Sequence, residues 1–426
     1  MAIKKGEVQC INDEILEKLS LKNRYKFLNY NLMSFLEKKH LDFLKKAQKF
    51  YISFEKNNDI THNEDFYEWI PEIGKEGLIT RLNNFDFLDL NYEPFGLTAE
   101  FMRTLATDFF DPQLAMGMGA NVLAVNPLLV HHEEIEIRLR VLKELVTGQK
   151  NGCICITEPE RGSDAVHMLT TCEQQEDGSF ILNGEKIYQT NGPKADYAVV
   201  YAVSEQNSGN TMGQFLVDTS WEGWKVERIN IPWTPRIYLG KETFTNLRIP
   251  PEYVLGKPGQ GREHLFEGLN LERLGIVILN AAEAWNAITH AVIYANMRKQ
   301  FDQEILKYQG VGFPLADLWA ETMNLTLSAL NVCQMVDKKV EQFGALPKEF
   351  SLALMATAAQ LKSISAKLSQ KAAYECANLM GGAGVCDNTL MQDLLGITRI
   401  QEIGGGTRQI QQYIMSLTLR QIFKLL

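Results

Sequence analysis

The spacing of apolar and polar residues changes twice along the chain. Within residues 1–148 apolar side chains recur about every 3.6 residues, which predicts amphipathic helices. Residues 153–255 instead alternate apolar and polar positions in short runs between turn residues, as β-strands do. From residue 263 onward the helical spacing returns. The pattern therefore predicts an all-α region, an all-β region and a second all-α region, in that order.

These three regions are predicted to be three domains. The N-terminal all-α domain covers 1–148, the middle β domain 149–258 and the C-terminal helical domain 259–426. The predicted helices of the first domain span 15–54, 65–82, 98–125 and 133–145, with a polar break at 57–63. Those of the last domain span 272–297, 315–342, 350–379 and 408–424. Four long helices with short joints predict an antiparallel four-helix bundle.

The middle domain is predicted to be a barrel or sandwich of short strands. Residues 179–188 contain Asn183-Gly184, a dipeptide typical of a two-residue turn, so a hairpin is predicted there. The other predicted strands span 153–157, 197–203, 214–217, 224–231 and 243–249. So many short strands in about a hundred residues favour a closed sheet or a sandwich. The predicted fold class is therefore α+β, mainly α.

Composition narrows the classes of function. A chain of 426 residues with 45% hydrophobic residues can bury large cores in two or three domains. The net charge of -9 argues against nucleic acid as the main partner, although backbone N–H groups can still bind an anionic cofactor. The cysteines include no C-x-x-C pair, which favours packed free thiols in a reducing compartment. We find no signal-peptide pattern and no unbroken apolar run of membrane-span length, so a cytoplasmic protein without membrane insertion is expected.

One carboxylate stands at the start of the longest apolar run. Glu272, in Leu271-Glu272-Arg273-Leu274, precedes residues 276–295, which have the pattern of a buried helix. An acid in such a place is either an ordinary first-turn residue, which the helix dipole favours, or a residue with a functional role. The spacing alone favours the first alternative.

Two segments of the middle domain carry the strongest signal. Residues 157–164 read T-E-P-E-R-G-S-D, and residues 183–192 read N-G-E-K-I-Y-Q-T-N-G. Both resemble motifs of the acyl-CoA dehydrogenase family, whose α–β–α domain order is also the predicted one. Further along, residues 298–301 are similar to the family's R-x-x-F, and residues 380–384 are similar to its Y-G-G-x-G. The resemblance covers residues 150–426, whereas the front of the chain matches only in helical character.

The resemblance implies an FAD cofactor and the residues that would bind it. In the middle domain these are Thr157, Ser163, Tyr188 and Thr190, with Tyr188 in the place of the family's usual tryptophan. In the C-terminal domain they are Arg298, Phe301, Gln309, Gly381, Gly382, Thr407 and Gln409. Thr407 ends a glycine loop before a predicted helix, which suits a pyrophosphate. Arg298 and Phe301 would meet the FAD of a neighbouring subunit, which implies a homotetramer or a homodimer.

The resemblance also leaves two positions for a catalytic base. Many family members have a glutamate where this chain has Gly405, and a glycine cannot remove a proton. A smaller group, resembling isovaleryl- and long-chain-type dehydrogenases, has glycine there and a glutamate in L-E-R-L, which is Glu272 here. Glu402, close before the glycine, is the second candidate. Glu283 falls on nearly the same helical face as Glu272, and a core-pairing role is expected for it.

The implied reaction is the α,β-dehydrogenation of an acyl-CoA thioester to the 2-enoyl-CoA. Glu272 would take the α proton while the β hydrogen leaves as a hydride to flavin N5. An electron-transfer flavoprotein would accept the electrons. The backbone N–H of Gly405 would polarise the thioester carbonyl. Ser163, Asn270 and Arg273 would contact the substrate, and no metal site is predicted.

Three alternatives stay open from the sequence. The enzyme would work in the enoyl-CoA reductase direction, or it would be a flavin oxidase or monooxygenase of the same superfamily. The third alternative is a non-catalytic flavin-binding relative, which the presence of Glu272 disfavours. Side-chain identities do not reveal the acyl group. Residues 90–96 and the helix through Met116, Met118 and Asn121 are expected to shape its pocket.

Overall fold

The computed structural model describes residues 11–58, 65–131, 135–204, 211–257, 259–344, 346–386 and 389–424. Cys10 and most of the predicted polar break at 57–63 lie outside the described residues. Buried free thiols were expected, and five of the described cysteines are of this kind: Cys153, Cys155, Cys172, Cys333 and Cys376.

Helices make up the first part of the described chain. They are α1 (Asp13–Lys18), α2 (Leu21–Leu32), α3 (Lys38–Asn58), α4 (Ile70–Lys75), α5 (Leu97–Phe110), α6 (Pro112–His131) and α7 (Glu136–Val146). In α3 the buried stripe contains Phe43, Ala47, Tyr51 and Phe54 at three- and four-residue spacing. This is the pattern from which helices were predicted here, because it places the apolar side chains on one face.

Three of the predicted N-terminal helices are wrong in extent. The predicted helix over 15–54 is three helices, α1, α2 and α3. Over 65–82 only a short 3₁₀ turn (Phe66–Trp69) and α4 form, and α4 ends shortly before Gly77, which has a φ of +65°. The predicted helix over 98–125 is two helices, α5 and α6. Asp111 between them is extended, with φ −154° and ψ 109°. It precedes Pro112, and the residue before a proline disfavours the helical conformation.

Eight strands form one sheet in the middle of the described chain. They are β1 (Gly152–Cys155), β2 (Thr171–Gln174), β3 (Phe180–Thr190), β4 (Tyr197–Val203), β5 (Met212–Asp218), β6 (Trp224–Ile229), β7 (Leu239–Ile249) and β8 (Val254–Leu255). The strand order is β6-β7-β3-β2-β4-β5-β8, and β1 pairs with β4. Sequence analysis missed β2, whose four residues are mostly polar, and β8, which has only two residues.

The predicted hairpin around Asn183-Gly184 is wrong. Strand β3 continues through the dipeptide, and both Leu182 and Gly184 pair with β7. The register shifts between these two positions because two residues of β7, Thr245 and Asn246, lie opposite Asn183, so the dipeptide faces a β-bulge of β7 and does not form a turn. Gly184 has a φ of +147° and lies against Thr170, whose Cα would be only 2.7 Å from a Cβ at this position. Glycine is therefore needed here for this backbone conformation and for the close approach of Thr170.

The last part of the described chain is helical again. Its elements are α8 (Gly261–Met297), a small hairpin of β9 (Lys299–Gln300) and β10 (Gln303–Glu304), α9 (Gln309–Phe343), α10 (Lys348–Met380), α11 (Met391–Ile403) and α12 (Arg408–Phe423). The four predicted helices are present, and α11 was missed. Trp285 Nε1 donates to Thr326 Oγ1 at 2.8 Å between α8 and α9. Asn280 Nδ2 donates to Ser365 Oγ at 2.9 Å between α8 and α10.

Helix α8 is the long central element of this region. It begins at Gly261 and not near residue 272, so the first-turn explanation for Glu272 does not apply. By length and hydropathy alone, α6 and α8 are long and apolar enough to cross a membrane, contrary to the expectation from the sequence. Their apolar windows are 61% and 89% buried inside the protein, and buried core helices pass the same criterion.

Candidate active site

A cavity of about 1150 Å³ lies between the helices and the sheet. Its walls come from the start of α5, the last turns of α6, strands β1, β4 and β5, the first turns of α8 and the end of α9. Glu272 and Asn270 line it from α8, and residues 93–96 line it as expected. The helix α6 contributes later residues than those predicted. Met118 lies in the apolar core, and Asn121 accepts a backbone N–H of β1 at 2.7 Å.

Glu272 is half-buried in the wall of this cavity. Burial raises the pKa of Glu272, and this effect outweighs the charges of Arg273 and Lys362 and a backbone hydrogen bond from Gly405, which lower it. The charge of Arg273 opposes this rise without cancelling it. A carboxylate with a raised pKa binds a proton more firmly, which suits a general base.

Gly405 lies directly beside the Glu272 carboxyl group. Its φ is +62°, a conformation that favours glycine. A Cβ at this position would lie 2.7 Å from Ile276 Cδ1 and 3.5 Å from the carboxyl carbon of Glu272. A side chain on the loop would therefore enter the space that Glu272 occupies. The two positions where the family places its base are alternatives for one place in the structure.

Two side chains hold the glycine loop in position. Lys362, 1% exposed, donates from Nζ to the carbonyl oxygens of Glu402 at 2.9 Å and Gly406 at 2.6 Å. Gln411 Nε2 donates to the carbonyl oxygens of Gly405 at 3.1 Å and Gly406 at 2.8 Å. Burial lowers the pKa of Lys362 to about 8. Sequence analysis missed both residues, although a lysine on the alanine-rich stripe of a predicted helix was a usable signal.

Glu402, the second candidate base, is engaged elsewhere. Its carboxylate forms ion pairs with Arg399 and, at 3.2 Å, with Arg408, and it accepts from Gln370 Nε2 at 2.9 Å. It does not belong to the described lining of the cavity. The geometry therefore favours Glu272 over Glu402 as a base.

Glu283 is a fully buried acid further along α8. Neither carboxyl oxygen has a hydrogen-bond partner within the described residues. Burial raises the pKa of Glu283 strongly, and the nearby Asp108 raises it further. Burial also raises the pKa of Asp108, to about 8. These two acids form a buried pair between α5 and α8, as expected for a core residue, and Glu283 does not belong to the described cavity lining.

The predicted substrate contacts fall in two places. Arg273 is buried, and its Nη1 donates to Asn270 Oδ1 at 2.8 Å in the cavity wall. Ser163 is exposed in a turn of the middle region and does not belong to the described cavity lining. Asn270 and Arg273 therefore lie with Glu272, whereas Ser163 lies outside the cavity lining.

The candidate flavin residues of the sheet lie close together. The carbonyl oxygen of Thr157 accepts the backbone N–H of Ile187 at 2.9 Å, which places Thr157 beside β3. Tyr188 follows as the extra residue of a bulge in β3, with a φ of +69° and 60% of its surface exposed. Bulges beside functional sites commonly redirect a side chain. Thr190 is half-buried at the end of the same strand.

Asn191, which follows Thr190, was not predicted as a site residue. It is fully buried, with a φ of +71°. Its Oδ1 accepts from Tyr67 Oη at 2.6 Å, and its Nδ2 donates to the carbonyl oxygen of Gly117 at 2.8 Å. This side chain fixes the end of β3 against the N-terminal helices. The Thr-Asn-Gly sequence was the available signal.

The predicted cofactor residues of the C-terminal region form two separate groups. Thr407 and Gln409 lie at the start of α12, next to the glycine loop and Glu272. The others lie at the far end of the helices: Arg298, Phe301, Gln309, Gly381 and Gly382. Arg298 follows the end of α8, and 26 residues separate it from Glu272. At 1.5 Å per residue the two lie about 39 Å apart.

The far group is strongly exposed. Phe301 and Asp302 both have positive φ and form the two-residue turn between β9 and β10, which leaves Phe301 90% exposed. Arg298 and Gln309 are exposed on either side of this hairpin. Gly381 and Gly382 follow α10 and have nothing within 4 Å of a Cβ position. These residues cannot reach a ligand beside Glu272 of the same chain.

Two family models match the chain. "Acyl-CoA dehydrogenase, middle domain" matches residues 153–236, and "Acyl-CoA dehydrogenase, C-terminal domain" matches residues 259–419. The chain is also 30% identical over 301 residues to the caffeyl-CoA reductase-Etf complex subunit CarC of Acetobacterium woodii, covering 70% of this chain and 75% of that protein. The chain therefore belongs to the acyl-CoA dehydrogenase family, whose members are oxidoreductases.

Solved structures of this family share the fold. Butyryl-CoA dehydrogenase from Megasphaera elsdenii aligns with a TM-score of 0.77 at 23% identity, over 90% of this chain and 98% of that one. An acyl-CoA dehydrogenase complexed with FAD from Bacillus anthracis aligns with a TM-score of 0.81 at 22% identity, over 92% of this chain and 68% of that one. The predicted fold class is confirmed.

Proposed function

We propose that the chain is an FAD-dependent acyl-CoA dehydrogenase that converts an acyl-CoA thioester to the 2-enoyl-CoA. The main support is the position of the Glu272 carboxyl group, which lies in the cavity wall, has a raised pKa and is beside the N–H of Gly405. Removing a proton next to a thioester carbonyl needs a positioned base and a hydrogen-bond donor for the developing negative oxygen. Both groups are present at one place.

Two features of the chain fit FAD. Thr407 precedes α12 and makes no capping hydrogen bond with its side chain, so the first-turn N–H groups have no partner in that side chain and suit a diphosphate. The bulge at Tyr188 turns an aromatic side chain outward between Thr157 and Thr190, where a flat ring can lie. We propose that FAD is held within one chain by Thr157, Ser163, Tyr188, Thr190, Thr407 and Gln409. When bound, FAD accepts the β hydrogen of the substrate as a hydride.

Glu272 takes the α proton in this proposal. Before substrate binds, the N–H of Gly405 is hydrogen-bonded to Glu272 and lowers the pKa of its carboxyl group. A thioester oxygen that accepts this N–H removes the hydrogen bond from Glu272. The pKa of Glu272 then rises, so substrate binding makes the carboxylate a stronger base while Gly405 polarises the carbonyl. Asn270 and Arg273 contact the CoA moiety from the same wall.

The position of the base supports a subgroup. Glu272 with Gly405 is the arrangement of isovaleryl- and long-chain-like members, and we propose that the chain belongs with them. The lack of room for a side chain at position 405 supports this choice, since a loop glutamate would collide with Ile276.

We also propose a homo-oligomer, either a homotetramer or a homodimer. Arg298, Phe301, Gln309, Gly381 and Gly382 would then contact the FAD of a neighbouring subunit. The separation of about 39 Å from Glu272 along α8 supports this arrangement, because one chain cannot bring both groups to one flavin.

An electron-transfer flavoprotein is the proposed electron acceptor. The relative from Acetobacterium woodii is named as a subunit of a caffeyl-CoA reductase-Etf complex, which supports this partner. The same name makes enoyl-CoA reduction the second candidate function. Anaerobic mixing of dithionite-reduced enzyme with 2-enoyl-CoA compounds measures this reverse direction.

A panel of acyl-CoA thioesters tests the proposed function. The purified protein is expected to be yellow, with about one FAD per chain, and to lose its flavin colour anaerobically with at least one straight, branched or aromatic acyl-CoA. A colourless protein that cannot be reconstituted with FAD would contradict the proposal. So would a yellow protein that no member of the panel reduces.

A further inference from the structure

Tyr201 and Gln214 face each other on neighbouring strands of the cavity wall. The two residues are directly paired in the register of β4 and β5. Because side chains opposite each other in a β-ladder lie on the same face, both point to the same side of the sheet. Both belong to the lining of the cavity that contains Glu272.

This polar pair interrupts an apolar ladder. On the same face, the pairs before and after it are Val199 with Leu216 and Val203 with Met212, all fully buried. The neighbouring strand β1 contributes Ile154 to the same part of the cavity wall. Tyr201 and Gln214 are each 1% exposed. Polar side chains in such a place are costly unless their hydrogen-bonding groups are paired.

The hydrogen bond within the pair does not use all of its hydrogen-bonding groups. Gln214 Nε2 donates to Tyr201 Oη, and Gln214 Oε1 has no partner within the described residues. The Tyr201 hydroxyl, which accepts that bond, keeps its own hydrogen to donate. If the amide group of Gln214 were turned over, the pair would still leave a donor unpaired. The two side chains therefore present hydrogen-bonding capacity to the cavity.

The pair also lies close to the reacting position. Burial raises the pKa of Tyr201, its hydrogen bond with Gln214 opposes this, and the charge of Glu272 raises it further. Tyr201 therefore stays protonated and remains a donor. Its electrostatic interaction with Glu272 places the pair near the carboxylate that is proposed to take the α proton.

We propose that Tyr201 and Gln214 form a subsite that hydrogen-bonds a secondary amide or hydroxyl group of the thioester substrate. These groups both donate and accept, as the pair does. The inference depends on the proposed function for the identity of the substrate as a thioester. The group that the pair binds belongs either to the pantetheine arm, as one of its amides, or to the acyl chain, as a hydroxyl.

Matched thioethers, which carry no acidic α proton and are not turned over, separate these sources. S-butyl-CoA is compared with S-(4-hydroxybutyl)-CoA, and S-butyl-N-acetylcysteamine with its N-methylated tertiary amide. Binding to the FAD-loaded protein is measured by calorimetry for wild type, Tyr201→Phe and Gln214→Leu. Tyr197→Phe is the control, because Tyr197 lies on the same strand but donates to Glu144 at 2.9 Å outside the cavity lining.

We expect each variant at the pair to weaken binding about tenfold for the probe that carries the recognised group, and less than about twofold for its matched partner. If the variants lose discrimination only within the cysteamine pair, the recognised group is an amide of the pantetheine arm; if they lose it only within the CoA pair, it is a hydroxyl on the acyl chain. An equal loss for the two members of each pair, or wild type that does not discriminate within either pair, overturns the subsite. If no acyl-CoA reduces the flavin but the protein still discriminates among the thioethers, the proposed function is refuted and the subsite is not.

Discussion

Replacing Lys362 by methionine tests how the glycine loop is held beside Glu272. The substitution keeps an unbranched side chain of similar length and removes the ammonium that donates to the carbonyl oxygens of Glu402 and Gly406. These two hydrogen bonds span the segment that contains Gly405. We therefore expect the variant to fold but to hold the Gly405 N–H less accurately.

The energies of burying and pairing Lys362 nearly offset each other. A hydrogen bond from a charged group contributes about 1.5–3 kcal/mol, so the two contribute about 3–6 kcal/mol. Burial lowers the pKa of this lysine from 10.5 to about 8, which corresponds to a cost of roughly 3 kcal/mol for its charged form. Lys362→Met should therefore lower the free energy of unfolding by no more than about 3 kcal/mol. Its rate of flavin reduction should fall by about 10–10²-fold, since loss of one oxyanion donor costs about 10²–10³-fold.

The pH dependence of flavin reduction distinguishes this role from a merely structural one. The rate rises with pH as Glu272 loses its proton, and the charge of Lys362 lowers the pKa of Glu272. Without that charge the pKa of Glu272 rises, so the acid limb should move to higher pH. Arg273 still faces Glu272 in the variant, and Lys362→Arg should restore the limb in part.

Anaerobic stopped-flow measurements between pH 5 and 9, in steps of about half a unit, would show the displacement. Lys367→Met is the control, because Lys367 is exposed on the same helix. An unchanged acid limb and a wild-type rate in Lys362→Met would refute the role assigned to this lysine.

Two further substitutions test the assembly and the sheet. Arg298→Ala should weaken FAD retention by the loss of a charge-assisted contact of about 1.5–3 kcal/mol, measured by equilibrium dialysis; a monomer with unchanged FAD affinity would contradict the intersubunit role. Lys186→Met should lower the free energy of unfolding by about 3–5 kcal/mol, because it leaves Glu158, 2.9 Å away and 3% exposed, without its buried counter-charge. Lys241→Met, which breaks a partly exposed pair with Glu185 at 3.2 Å, should cost less than about 1 kcal/mol in the same urea titration.

Local pattern predicted the elements whose burial follows one regular face. Helix α9 is of this kind, whereas strand β4, which was also predicted, is an apolar run buried on both faces. Asn183-Gly184 shows the limit of such reasoning. The dipeptide has the chemistry of a hairpin turn, and only its pairing with β7 on both sides shows that strand β3 continues through it. The start of α8 was placed too late because residues 261–271 mix charged and apolar side chains around the cavity.

The candidate site was partly visible in the sequence. The combination of Glu272 with Gly405 could be recognised because both residues stand in motifs. Lys362 could not be assigned to the loop, since its partners are backbone carbonyl groups and carry no residue identity. Tyr201 and Gln214 could be paired only once the register of β4 and β5 was known.

The most direct test of the account is the rate of flavin reduction in Glu272→Gln and Glu402→Gln. Each variant is loaded with FAD, and anaerobic single-turnover bleaching is followed with the best acyl-CoA of the panel. Glu272→Gln should keep FAD and thioester binding and lose roughly 10²–10⁴-fold in rate, the usual contribution of a general base. Glu402→Gln should retain most of the rate, because Glu402 is bound to Arg399, Arg408 and Gln370 away from the cavity. Wild-type bleaching by Glu272→Gln together with a large loss in Glu402→Gln would contradict the account and place the base in the loop.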